Sequence, residues 1–351
     1  MQRRLGLRWL VLAAASVLVI SACGGGAAPA APAATATLAA PATPTAKPFQ
    51  GTKDFTVAFT SIGVSSVPLL AAIDSLRGQG FTIKTPEIAE SELSVQGVVK
   101  GDFAFSSGTT SAVLNAVQKG GKVKILADRV ANEWTVYGAK PIGACKDLEG
   151  KKLAIHSEGA VSTAMVRNWL STECSTTKPT FLVIPGSDNR LKALLANQID
   201  ASPLELSDAI ALESQAGDKF NQLTSFAKTL PNIHPTTVYA NGDFVEKNPD
   251  SVRAVLKALL EQHRKIAGDA KYFADITVKY YPGADKKTLD KASAQYVALK
   301  MFDVNGGLTE ENLKGTVDFF TTAGSVKPGL TVKDVADLSY LQAVLGEIGR
   351  K

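Results

Sequence analysis

The chain is predicted to be an α/β protein of two lobes, each built on a mixed, mostly parallel sheet, with two strands crossing between them. Three observations predict it. Short β-rich runs alternate with apolar-periodic helical stretches from residue 55 onward, the order that builds parallel sheets covered on both faces. After Pro141 the alternation restarts as though from its beginning. Two extended runs, 133–139 and 235–240, stand where the chain would leave the first lobe and return to it.

Taken in order, residues 55–59 form a strand that ends at Thr60-Ser61-Ile62-Gly63, and Leu69, Leu70, Ile73 and Leu76 mark the next helix. This is the strand, small-residue loop and helix of a βα unit. The first lobe continues with strand 81–83, helix 91–100, strand 103–105, helix 109–117 and strand 123–127. The second lobe carries strand 152–156, helix 159–172, strand 181–184, helix 188–197, a short strand 199–201 and helix 204–214. From Asp243 the pattern is nearly all helical. Asn248-Pro249-Asp250 opens its clearest helix, with Pro249 early and Val252, Val255, Leu256, Leu259 and Leu260 on one face,. These last helices are expected to pack on the first lobe. The expected boundaries are therefore 54–137 plus 240–351 for lobe 1 and 138–239 for lobe 2.

The first 53 residues have a different composition. Arg3, Arg4 and Arg8 precede an apolar stretch from Leu10 to Ile20, and Ile20-Ser21-Ala22 supplies small residues before Cys23, which together read as an export signal over residues 1–22. The stretch is short of the roughly 20 apolar residues that a spanning helix needs. Ile20-Ser21-Ala22-Cys23 resembles a bacterial lipobox, which implies cleavage before Cys23 and acylation of its sulfur. Several acyl chains would give a stable membrane anchor where one would not. Ala, Pro, Thr and Gly dominate from Gly24 to about Lys53, so residues 23–53 are expected to be a lipidated Cys followed by a disordered tether.

The whole chain has 38 Lys plus Arg against 33 Asp plus Glu. Removing residues 1–22 takes away three Arg and no acid, so the balance falls to +2. No basic run or aromatic-basic stripe points to nucleic acid. With Cys23 acylated, Cys145 and Cys174 remain. An even pair in an exported protein reads as one disulfide, against the alternative of two buried thiols. No His or Cys stands at ligand spacing beside them, and neither a metal nor a cofactor is expected.

Several stretches together resemble a known family. Val98-Val99-Lys100-Gly101-Asp102-Phe103-Ala104, Gly120-Gly121-Lys122-Val123-Lys124-Ile125-Leu126, Asp147-Leu148-Glu149-Gly150-Lys151-Lys152-Leu153-Ala154-Ile155, Asn197-Gln198-Ile199-Asp200-Ala201 and Asp337-Leu338-Ser339-Tyr340-Leu341-Gln342 occur in the order and spacing of one group. They are similar to the substrate-binding proteins of ABC importers that take sulfonates, taurine, nitrate or thiamine-pyrimidine precursors, with the periplasmic binding protein type 2 fold. The resemblance covers essentially everything after the tether. It implies an exported solute-binding protein, lipid-anchored to the outer face of the cell membrane. Such a protein closes its lobes around a small organic ligand and hands it to an ABC permease and its ATPase. A monomer is expected, with an organic anion or a planar heterocycle as ligand. The alternative is a ligand sensor coupled to a receptor.

Ligands in open α/β sheets bind beyond the carboxyl ends of strands, where loops lead into helix N-termini. That rule selects Ser61, then Ser106, Ser107, Gly108 and Thr109, then Ser157, Gly159, Ala160 and Ser162. Free N–H groups at 108–109 and 159–161 suit an anionic or strongly accepting group, while Ser107 and Ser157 also suit simple helix capping. Trp134, at the first crossing, would stack on a planar ligand or pack the hinge. Asn189 follows the 181–184 strand. Glu205 stands where many relatives have an aromatic or Pro, and suits an amine or hydroxyl on the ligand or a solvated helix start. His234 is read as structural.

An enzyme is not expected. Ala104-Phe105-Ser106-Ser107-Gly108 falls one residue short of a nucleophile elbow, which leaves a hydrolase using Ser106 as a lesser alternative. The eukaryotic pyrimidine-precursor synthases of the same fold carry a tight cysteine cluster that this chain lacks, and the relatives that process menaquinone precursors have no export signal.

Overall fold

Ten strands divide into two five-stranded sheets, and each sheet carries one strand that runs against the other four. The computed structural model describes residues 48–60 and 62–351. The predicted leader, Cys23, the tether up to residue 47, and Ser61 lie outside the described residues.

The first sheet has the order β2-β1-β3-β10-β4. Its strands are β1 (Asp54–Phe59), β2 (Thr82–Lys84), β3 (Phe105–Thr109), β4 (Val123–Val130) and, from far along the chain, β10 (Thr236–Asn241). Helix α1 (Val67–Gly78) follows β1, α2 (Ser91–Lys100) precedes β3, and α3 (Thr110–Gln118) leads to β4. Val57, Phe59, Phe105, Ile125 and Val238 are wholly buried, as expected of strands covered on both faces. Gly101 ends α2 with φ of 82°, a left-handed cap that costs glycine little. Strand β3 differs from expectation. It starts at Phe105 rather than Phe103, and Ser106–Thr109 pair in register with β10, so tertiary pairing makes a strand of residues that read as a loop.

The second sheet has the order β7-β6-β8-β5-β9: β5 (Thr135–Ala139), β6 (Lys152–Ile155), β7 (Thr180–Val183), β8 (Ala201–Leu204) and β9 (Phe220–Ser225). Helices α4 (Val161–Glu173), α5 (Ser187–Leu195) and α6 (Leu206–Ala216) alternate with them. The reversed strand is β5 here and β10 in the first sheet, so each crossing run enters its new sheet at the fourth position. All of β5 pairs in the second sheet and all of β10 in the first. Lobe boundaries at 137 and 239 would therefore cut strands, and the sheets change between Val130 and Thr135 and between Ser225 and Thr236. Strand β9, mostly polar with only Phe220 buried, carries no sequence pattern that announces it.

Cys145 and Cys174 are joined, with Cα atoms 6.1 Å apart, and the bond ties the turn before β6 to the end of α4. The C-terminal helices are α7 (Pro249–Gly268), α8 (Ala270–Tyr280), α9 (Lys286–Ala298), α10 (Glu310–Thr322) and α11 (Ser339–Ile348). Helix α7 packs on α1 and α11 in the first lobe, as expected, but α9 lies against α6 of the second. Residues 50–52, placed in the tether by composition, are tied to the body: Thr52 N–H donates to Asn248 Oδ1 at 3.0 Å, and Ser251 Oγ donates to the Thr52 carbonyl at 2.6 Å. Among the described residues no helix is long and apolar enough to cross a membrane.

Candidate functional site

The carboxyl ends of β1 and β8 bring the two lobes within contact. After β1 the chain turns through Gly63 into a short helical turn, Val64–Ser66, that runs on into α1. Opposite it, Glu205 leaves β8 and stands at the N-cap of α6, its N–H donating to Ser187 Oγ at 2.9 Å. A Cβ on Gly63 would sit 2.8 Å from Glu205 Oε2, so a side chain there would push the carboxylate aside.

A cavity of about 520 Å³ opens at this contact. The first lobe lines it with Gly63 and Val64, the second with Asp188, Glu205 and Asp208, and the turn after α8 with Tyr281 and Asp285. The walls are acid-rich. The cavity's Lys192 is paired to Asp188 at 2.8 Å, and Asp285 accepts from the Thr288 N–H and hydroxyl at the start of α9. Burial pushes the Asp208 carboxyl up to about 7, with the charge of Glu205 adding to the rise. Burial also raises Glu205, although Arg129 and Arg190 pull in the other direction. Among the described residues no group of three His, Cys, Asp or Glu is placed to hold a metal ion.

Behind Glu205 lies a buried polar layer. Glu133, at the first crossing, is 2 % exposed and bonded to the Tyr296 hydroxyl of α9. Its other oxygen has no hydrogen-bond partner. Burial first, and then Glu205, push its carboxyl up to about 8, so it is protonated at neutral pH. The Arg129 guanidinium donates to Ser65 Oγ at 3.2 Å and Ser66 Oγ at 3.4 Å. Arg190 is wholly buried in α5, donating to the carbonyls of Pro203, Ile184 and Gly186 at 3.0 to 3.1 Å while its guanidinium lies 5.7 Å from the Trp134 ring centre. Arg190 Nη2 and Trp134 Nε1 are buried without partners.

The residues expected at the site separate into three groups. Glu205 alone lines the cavity. Ser107, Thr109, Trp134 and Ser162 keep a buried polar atom without a partner, while Gly108 is packed against Thr60 and the Tyr239 hydroxyl and Ala160 serves as the N-cap of α4. The rest are occupied. Ser106 Oγ donates to the Ala58 carbonyl at 3.1 Å and meets Ser94 Oγ at 2.8 Å. Ser157 and Gly159 both bond the Glu92 carboxylate. Asn189 is exposed and donates to the Pro185 carbonyl at 2.9 Å.

Among the described residues no His bonds the Ser106 hydroxyl. His234 pairs with Asp128 at 3.2 Å and His263 with the Asp303 carbonyl at 2.9 Å. His156, between Gly186 N–H and the Ala89 carbonyl, is lowered to about 4 chiefly by burial and stays neutral. Arg190, Arg129, Glu133 and Glu92 were not singled out in the sequence. Each reads there as an ordinary polar residue of a helix or strand end, and only contacts with distant segments distinguish it.

The sequence profile of the family described as NMT1/THI5 like matches residues 77–267. No curated protein matches the chain by sequence. Solved structures share its fold. The ligand-binding component of an ABC-type import system from Staphylococcus aureus superposes with a TM-score of 0.69 at 12% identity, covering 83% of this chain and 98% of that one. The periplasmic nitrate-binding protein of Synechocystis PCC 6803 gives 0.69 at 12% identity, covering 85% and 89%. The periplasmic aliphatic sulphonate binding protein of Escherichia coli gives 0.62 at 16%, covering 81% and 92%.

Proposed function

Because the chain belongs to the NMT1/THI5-like family, we propose that it is an exported solute-binding protein that closes its two lobes around one small molecule and delivers it to an ABC importer. One observation carries the reading: the 520 Å³ cavity is walled by the β1 loop of one lobe and by Glu205 and Asp208 of the other. A ligand held there contacts both lobes, and so favours the closed arrangement over the open one, which is what a closure signal requires. The two crossings, one on each side of the second lobe, suit a hinge. The names of the structural neighbours, among them nitrate and sulphonate binders, support a transport role. The lipobox at Cys23 supports a receptor held at the outer face of the membrane, beside a permease and its ATPase.

The wall chemistry selects the ligand. Among the described residues three carboxyls, Glu205, Asp208 and Asp285, face the cavity without a cation of their own in it, so a group that donates hydrogen bonds or carries positive charge is favoured there over the organic anion that the helix starts suggest. An amine-bearing heterocycle meets both requirements.

Native mass spectrometry of freshly purified protein tests this, with melting-temperature shifts across amine, heterocycle and sulfonate panels. The expected result is a co-purified small molecule carrying an amine or amide donor. The reading fails if no small molecule raises the melting temperature and scattering shows no compaction with any of them.

A further inference from the structure

Helix α4 begins against a carboxylate from the other lobe. Glu92, in the first turn of α2, accepts the Gly159 N–H at 3.0 Å and the Ser157 hydroxyl at 3.2 and 3.3 Å to its two oxygens. Ser111 Oγ, on α3 of the same lobe as Glu92, donates to the Gly159 carbonyl at 2.7 Å. Both backbone groups of Gly159 are thus taken across the lobe boundary. His156 adds a third strut, its Nε2 lying 3.1 Å from the Ala89 carbonyl. A Cβ on Gly159 would overlap Glu92 Oε1, so the contact depends on glycine there.

Glu92 thus holds the two residues that lead into α4, Ser157 and Gly159, rather than the N–H groups of the helix itself. The bonds are charge-assisted, and such bonds are about twice as strong as neutral ones. Their acceptor is covalently part of the opposite lobe, so they need no ligand to form.

We propose that Glu92 is a built-in latch that holds the lobes together through Ser157 and Gly159, the segment leading into α4. The inference rests on the reading of two separable lobes. It goes beyond that reading in assigning part of the closure energy to one residue that does not line the 520 Å³ cavity.

The test uses the full chain, refolded from denaturant to strip small molecules, as wild type, Glu92→Gln, Glu92→Ala and Ser157→Ala. Circular dichroism confirms that each variant is folded, and Ser157→Ala removes only one hydroxyl should Glu92→Ala disturb α2. X-ray scattering is expected to show Glu92→Ala expanded by about 1 Å in radius of gyration, against about 19 Å for a compact body of this size. Glu92→Gln, which keeps an acceptor without the charge, falls between wild type and Glu92→Ala. The latch is overturned if wild type is as expanded as Glu92→Ala. If wild type is expanded and compacts with its co-purified ligand, the two-lobe reading stands and the latch alone is lost. If no variant and no ligand changes the scattering, both fall.

Discussion

Glu133 at the first crossing and Glu205 at the start of α6 share one buried environment, and neither carboxyl ionises there as it does in water. The consequence for Glu133 has a definite sign. Its pKa is about 8 in the folded protein and about 4.3 when the chain unfolds. Below the lower value both states hold the proton and stability is unaffected. As pH rises through the window the unfolded state loses its proton first, so stability falls until about pH 8 and then levels off. Glu133→Gln keeps an acceptor for the Tyr296 hydroxyl and removes the titration. We expect it to raise the melting temperature at pH 8, with the gain vanishing near pH 4; thermal denaturation at both pH values checks this. Asp208, with its pKa near 7, belongs to the binding side. A cationic ligand stabilises its ionised form and expels a proton, so affinity should strengthen from pH 6 to pH 8 and binding should release protons. Calorimetry in buffers of different ionisation enthalpy reads this directly, and proton uptake would contradict it. Gly63→Ala places a methyl 2.8 Å from the Glu205 carboxylate, and is expected to weaken ligand affinity about tenfold by pushing that carboxylate from its place in the cavity wall.

At the scale of elements, the legible ones are those whose local pattern and tertiary role agree. The 91–100 helix, ending at Gly101, and the β10 run were both readable because capping and β-branched content point the same way as the packing. Where the two disagree, packing decides. Ser106–Thr109 look like a loop and form a strand because β10 pairs with them residue by residue. Strand β9 pairs along β5 at one end of the second sheet, so most of its side chains need not be apolar and its pattern is faint. The disulfide followed from counting cysteines. Its closure of a 29-residue separation should stabilise the protein by roughly 3 kcal/mol. Reduction without denaturant is expected to lower the melting temperature by about 5–10 °C, with hydrogen exchange quickening first at the end of α4.

At the scale of the molecule, the two sheets and their crossings imply a hinge, while α9 adds a constraint that the alternation of elements does not disclose. It carries Tyr296 onto Glu133 at the crossing and packs on α6 of the second lobe. Opening of the lobes must therefore move α6 relative to α9, or carry α9 with it. Tyr296→Phe, which removes the bond to Glu133 and little volume, should loosen this region and quicken amide exchange in 133–137. Unchanged exchange there would show that the bond does not restrain the hinge.

The sequence by itself determined the two-lobed α/β plan, the paired cysteines and the family resemblance, because each is written in local periodicity, composition or count. Only the tertiary structure decided what occupies the cleft. That Glu92 reaches Gly159 across the lobe boundary and that Glu205 lies beside Glu133 depends on distances between residues 67 and 72 positions apart in the chain. Desolvation and charge act through space, and no local pattern along the chain records them.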